Sequence, residues 1–313
     1  MSSLPTLADV EAAAERIAGH VHRTPVVTSH LLDEWAGARL HLKCENLQRV
    51  GAFKIRGATN AVRSLPDGEA ARGVAAHSSG NHAAALALAA RTRGIPAHIV
   101  MPAISSAVKK AAVAGYGASV TECGPTLEDR RAALAEVLAA TGAVEIHPFD
   151  DDRIIAGAGT AALELIDELP DLDAVVAPVG GGGLLSGTAT AVTGRSPRTR
   201  VFGAEPAIAD DAARSFTAGV RQPPADSTTI ADGLRTGLSD RTFAVIRARV
   251  EAIVTVDEAA IVAAMRTVWE RTKLIVEPSA AVAVAAVATG QFGHGDIGVI
   301  VSGGNVDRDA LPW

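Results

Sequence analysis

A lysine, Lys54, stands in "VGAFKIRGATN" between Phe53 and Ile55 and just ahead of a glycine. An amine among apolar neighbours is desolvated, so its pKa falls and it becomes a base or an imine-forming nucleophile. The plainer alternative is a lysine that buries only its stem and sends the ammonium to water. "APVGGGGLLSG" sets four consecutive glycines, Gly180, Gly181, Gly182 and Gly183, between an apolar strand and a helix that runs on through Leu184. Glycines let backbone N–H groups approach an anion closely, and the helix start adds its positive dipole end, which together read as a phosphate cradle. A Rossmann turn uses the same ingredients with an acid about twenty positions on. Glu205 stands in about that place, so a dinucleotide reading stays open at this level. No GK[ST] follows, which disfavours a Walker loop.

Three further segments carry chemistry-bearing residues. "HSSGNHAAALALAA" offers Ser78, Ser79, Asn81 and free amides at a helix start. A carboxylate fits there, as does an ordinary Ser/Asn cap. "IGVIVSGGN" ends an apolar strand with Ser302, Gly303, Gly304 and Asn305, at the kind of strand end where α/β sheets present ligand groups. "AEPAIADDA" groups Glu205, Asp210 and Asp211 without a histidine or cysteine. Hard oxygen ligands suit Mg²⁺ or Ca²⁺ rather than zinc, and the alternative is a solvated acidic loop.

The elements that must position these residues follow from the pattern. Near-continuous apolar runs alternate with helical stretches, which predicts an α/β fold with parallel sheets buried on both faces. Two such series run over about residues 73–148 and 152–313, and "RLHLKCENLQ" needs a sheet to join. The chain has 313 residues, 48% hydrophobic and 20% charged, enough for a large core and two domains. A net charge of −6 without a long basic run argues against nucleic acid as a partner. Two cysteines, Cys44 and Cys123, with no CxxC or HExxH, build neither a disulfide framework nor a familiar zinc site. An acidic, helical N-terminus and the lack of a long uninterrupted apolar span predict a cytoplasmic protein with no membrane partner.

In order along nearly the whole chain, "ENLQRVGAFKIRGA", "HSSGNHAAA", "PVGGGGLLSG", "AEPAIADDA", "TIADGL", "IVEPSAA" and "VSGGNVD" resemble the fold-type II pyridoxal-phosphate (PLP) enzymes, specifically the serine racemase and threonine/serine dehydratase group. The combination displaces the dinucleotide reading. The resemblance implies a tryptophan synthase β-like fold of two open, twisted, mostly parallel sheets flanked by helices. It also implies a large PLP-binding domain of residues 1–65 and 150–313, a small substrate-loop domain of residues 70–148, and a homodimer. Lys54 would bond to PLP as an imine with Phe53 packed beside it. Gly180, Gly181, Gly182, Gly183 and Leu184 would hold the phosphate, Asn81 would contact the ring hydroxyl, and Ser302 would face the pyridine nitrogen.

A neutral hydroxyl at that nitrogen gives a weaker electron sink than a carboxylate, which favours β-elimination over transamination. The expected reaction is therefore conversion of a small amino-acid substrate, L-threonine or L-serine, to a 2-oxo acid and ammonia. Ser78, Ser79, Asn81 and His82 fall in the segment that the resemblance gives to the substrate carboxylate. Ser79 also matches the racemases' second acid/base, so serine racemisation is chemically available. Glu205, the Ala209 carbonyl and Asp211 match a divalent-metal site of the racemase and hydroxyaspartate dehydratase branch, with Mg²⁺ or Ca²⁺ as a structural activator. Arg130 lies where a group near the pocket is expected and would favour an acidic side chain such as that of 3-hydroxyaspartate, although an arginine within "TLEDRRAAL" is also at home in solvent. The alternatives are a dedicated serine racemase, a 3-hydroxyaspartate dehydratase, a β-replacement synthase, and a non-catalytic PLP carrier. The short segment after "VSGGNVD" leaves no room for an appended feedback domain, so isoleucine inhibition is not expected.

Overall fold

The computed structural model describes residues 4–105, 107–224 and 228–313. Among the described residues ten strands form two sheets. The larger contains β1 (Val26–Val27), β2 (Arg39–Cys44), β7 (Ala174–Pro178), β8 (Arg200–Pro206), β9 (Ala252–Val256) and β10 (Asp296–Val301), in the spatial order β1-β2-β10-β7-β8-β9. The smaller contains β3 (Val74–His77), β4 (Ala97–Pro102), β5 (Ser119–Cys123) and β6 (Val144–Glu145), in the order β5-β4-β3-β6. All pairings are parallel except β1 against β2. The α/β expectation holds, and "RLHLKCENLQ" joins the larger sheet beside the C-terminal strand, with Leu42 opposite Val299. The strand β7 is buried throughout, as a parallel strand covered by helices on both faces must be. Among the described residues no helix is long and apolar enough to cross a membrane.

Because the strands are parallel, their carboxyl ends gather on one side of each sheet, where the turns they feed become neighbours. β7 leads into the glycine run, and β10, hydrogen-bonded alongside it, leads into Ser302. Three helices then stack with almost no side chain between them. A Cβ on Gly157 would lie 2.7 Å from Gly57 Cα, and one on Gly187 would lie 2.5 Å from Gly159 N. The Lys54–Ser64 helix and the Gly183–Arg195 helix therefore both press on Asp152–Glu168.

The first of these contacts is pinned by buried charge. The Arg56 guanidinium forks onto Glu45, Nε to Oε2 at 2.7 Å and NH2 to Oε1 at 2.8 Å, and its NH1 donates to Glu164 Oε1 at 2.7 Å. Lys43 Nζ donates to Glu164 Oε2 at 2.6 Å and to the Thr24 carbonyl at 2.7 Å. Arg56, Lys43 and Glu45 are fully buried. Burial works against the Arg56 charge, but Glu45 and Glu164 outweigh it and raise its pKa. Removing one partner from such a set strands a buried charge at a cost of about 3–5 kcal/mol. Glu45→Ala is accordingly expected to lower unfolding stability by about that amount, as read from urea denaturation.

Candidate functional site

The Lys54 side chain opens a helix whose approach is built by another strand end. Ala52 bridges to Gly303, and the Phe53 amide donates to the Ser302 carbonyl at 2.9 Å. Lys54 Nζ donates to the Pro148 carbonyl at 2.8 Å and lies 5.0 Å from the Phe53 ring centroid. Burial lowers its pKa to about 8, against an opposing pull from the Glu277 carboxylate. The solvated-ammonium alternative fails here, because the amine is turned inward.

Gly182 adopts φ +87°, which an L side chain resists, and it caps the Gly183–Arg195 helix. The other three glycines are demanded by packing as much as by any ligand. A Cβ on Gly181 would meet the Phe149 ring at 2.3 Å, one on Gly183 would meet Phe149 Cβ at 3.0 Å, and one on Gly180 would meet Leu234 Cα at 2.9 Å. Yet Gly180, Gly181 and Gly182 are buried, and among the described residues their amides donate to no protein acceptor. Buried orphan amides ahead of a helix start need an anion. That requirement fits a phosphate.

The turn after β3 is not a side-chain cap. Gly80 is the N-cap of the Asn81–Arg93 helix and no side chain caps it, so the Ser/Asn-cap alternative falls. The Ser78 amide continues the sheet to the Val100 carbonyl at 3.1 Å, its Oγ accepts from the Gly80 amide at 3.3 Å, and Ser79 Oγ has no protein partner among the described residues. Asn81 Nδ2 donates to both oxygens of Glu277, at 3.0 and 3.2 Å. His82 Nε2 donates to the Ile146 carbonyl at 2.8 Å. Burial pushes its pKa down to about 3, so the ring is neutral, and the buried Nδ1 has no partner. His82 is thus a polar wall, not a cation for a carboxylate.

Two groups central to the site were not singled out from the sequence as site residues. The "HPFDD" segment reaches Lys54 through the Pro148 carbonyl and the glycine turn through Phe149. His147 Nδ1 holds this segment in place by accepting from the Asp150 amide at 2.9 Å. Glu277 receives Asn81, and its burial raises its pKa to about 7. An acid set in the apolar run "IVEPSAA" was the available signal for Glu277, and nothing comparable marks Phe149.

Arg130 NH2 donates to the Pro125 carbonyl at 3.1 Å, while its buried Nε has no partner. It stands near the end of β3, where burial and then the charges of Arg130 and Arg131 lower the His77 pKa. The acidic set is likewise inside the fold. Glu205 accepts from the Ala212 and Ala213 amides at 3.0 and 2.9 Å, and burial raises its pKa to about 8. Ala209 is buried, and the buried Asp211 Oδ2 has no partner. Among the described residues no cluster of three or more His, Cys, Asp or Glu side chains is placed to hold a metal. The set named from sequence has two carboxylates and a carbonyl; both Glu205 oxygens are taken by backbone amides, and Asp211 Oδ2 is the oxygen left without a partner.

Residues 17–303 match the family model described as pyridoxal-phosphate dependent enzyme. The chain belongs to this family. It is 49% identical over 312 residues to a β-hydroxyaspartate dehydratase of Paracoccus denitrificans, covering 99% of each chain. The crystal structure of serine racemase from Dictyostelium discoideum superposes with a TM-score of 0.94 at 44% identity, covering 97% of this chain and all of that one. A threonine deaminase from T.th. superposes with a TM-score of 0.91 at 46% identity, covering 97% of this chain and 99% of that one. The fold is the fold-type II PLP architecture.

In a PLP-dependent family the depressed lysine makes a direct prediction. Only the neutral amine attacks an aldehyde, so capture of Lys54 by PLP in cofactor-free protein is expected to accelerate as pH rises through about 8, not near the ordinary 10.5. Borohydride trapping and peptide mass measurement across a pH series check this, and a midpoint near 10 would overturn it.

Proposed function

We propose that this PLP-dependent enzyme acts on small β-hydroxy amino acids, with dehydration of 3-hydroxyaspartate to a 2-oxo acid and ammonia as its main reaction. The observation that carries this choice is Arg130, whose charge acts on His77 at the end of β3 and whose buried Nε has no hydrogen-bond partner. An unpaired guanidinium N–H seeks an anion, and a carboxylate on the substrate side chain supplies one. The 49% identity to a β-hydroxyaspartate dehydratase supports the same reading. Threonine and serine, ranked first by sequence alone, bring no charge to that position.

When bound, PLP withdraws electrons from the bonds at the substrate α-carbon. The protein supplies the rest. The amides of Gly180 to Leu184 would bind the phosphate, and the Ser79 and Asn81 amides, which have no protein acceptor among the described residues, would hold the α-carboxylate. Lys54, with a pKa near 8, takes the α-proton close to neutral pH. Ser79 Oγ, unpartnered among the described residues, is free to give or take a proton from the other side, which makes serine racemisation a second reading. Asn81 and Ser302 orient the ring, and Phe53 and Phe149 exclude water around Lys54.

A divalent cation at Glu205, Asp211 and the Ala209 carbonyl would act at a distance. The segment after it touches the glycine turn, since Thr242 Oγ1 donates to the Gly181 carbonyl at 2.9 Å and a Cβ on Gly237 would meet Asp211 Oδ2 at 3.2 Å. Chelation with EDTA is expected to lower both Tm and activity, and Mg²⁺ or Ca²⁺ to restore them. Unchanged values would remove the metal.

The deciding experiment follows 2-oxo acid and D-serine formation separately for threo-3-hydroxyaspartate, L-serine and L-threonine. The highest kcat/KM is expected for hydroxyaspartate. Arg130→Ala should raise its KM about 30-fold or more, the loss of ~2 kcal/mol or more that follows truncating one member of a buried charge pair. KM for serine should stay nearly constant. Equal effects on both substrates would show that Arg130 does not read the side chain.

A further inference from the structure

The chain leading into Lys54 is held in a conformation it would not choose. Val50 has φ 57° and ψ 12°, the left-handed region that a β-branched residue avoids. Such strain persists only where its surroundings over-determine it. Here the surroundings are the turn after β10. Asn305 Nδ2 donates to the Val50 carbonyl at 2.8 Å and to Asn81 Oδ1 at 2.8 Å, which uses both of its hydrogens. The Asn305 amide donates to Glu277 Oε2 at 3.2 Å, and the Gly304 amide donates to the Gly51 carbonyl at 2.9 Å. Gly51 must lack a side chain, because its Cβ would lie 2.4 Å from Asn305 Oδ1.

We propose that Asn305 is a positioning residue whose side-chain amide holds Val50 in the left-handed conformation and fixes Asn81 in the same grip, so that Lys54 and Asn81 keep one spacing. It touches neither reacting atom. Without it, Val50 is free to relax, which re-aims the chain entering Lys54, and Asn81 loses one of its two tethers. The inference rests on the reading of Lys54 as the amine that binds PLP.

The test compares wild type, Asn305→Ala, Val50→Gly and the double variant, each loaded with PLP. The readouts are borohydride-trapped Lys54, the pH midpoint of the absorbance band of the lysine-bound cofactor, kcat, KM and Tm. Wild type is measured first. If it traps no cofactor at Lys54, the cofactor reading itself is wrong and this proposal falls with it. With wild type labelled, Asn305→Ala is expected to shift the midpoint and to lower kcat about 10- to 100-fold, the scale of a small misplacement of a reacting group, with a smaller change in KM. Glycine occupies the left-handed region freely, so the V50G background should recover most of that loss. A loss of the same size in both backgrounds, or a wild-type midpoint and kcat in Asn305→Ala, would overturn the proposal. Should Asn305→Ala fail to fold, folding of the double variant supports the strained clamp, and failure of both counts against it.

Discussion

The charged set of Arg56, Glu45, Glu164 and Lys43 ties together three pieces of chain, two of which also pack closely at Gly57 and Gly157. Arg56 belongs to the helix that Lys54 opens, Glu164 to the helix that carries the glycine contacts, and Glu45 and Lys43 to the end of β2. An arginine suits the centre because its planar fork satisfies two carboxylates at once. Thr160 Oγ1 and the His22 carbonyl accept further N–H bonds from it. Charge buried this deeply adds little net stability compared with an apolar core, but it allows only one arrangement of its partners. Lys54 precedes Arg56 by two residues on the same helix, so the set bears on where that lysine sits.

Around this anchor the site is assembled from strand ends that are distant in sequence. The glycine turn follows β7, Ser302 and Asn305 follow β10, and the Ser78–Asn81 turn follows β3 in the other sheet. Glu277 joins the last two by accepting from both Asn81 and Asn305. The "HPFDD" segment closes the opposite side, with one carbonyl on Lys54 and one ring over the glycines. A burial strong enough to depress Lys54 therefore depends on groups from at least four separate segments, each held by backbone hydrogen bonds.

The glycine run illustrates why a local motif is read more surely than its cause. In the sequence it is a place where an anion can approach, and the buried amides without protein acceptors agree with that. The space a side chain would need is nevertheless occupied by Phe149, Leu234 and Thr242, none of which any spacing rule links to the glycine run. The serine turn shows the converse. Its residues are those of an ordinary helix cap, and only the structure reveals that Gly80 takes the cap position, leaving Ser79 and Asn81 for other work.

The sequence by itself determined the fold class and the family and singled out the lysine, the glycine turn and the acidic set as candidates, because each depends on residue types at short range or on an order of motifs along the chain. Apolar runs of strand length, glycine at a tight turn and carboxylates in one loop all write their physics locally. Tertiary structure alone decided that Glu277 and Phe149 belong to the candidate site, that His82 is neutral, that the buried Nε of Arg130 has no partner, and that Val50 is strained. Desolvation and close packing arise from residues far apart in the chain, and no window of sequence contains both partners.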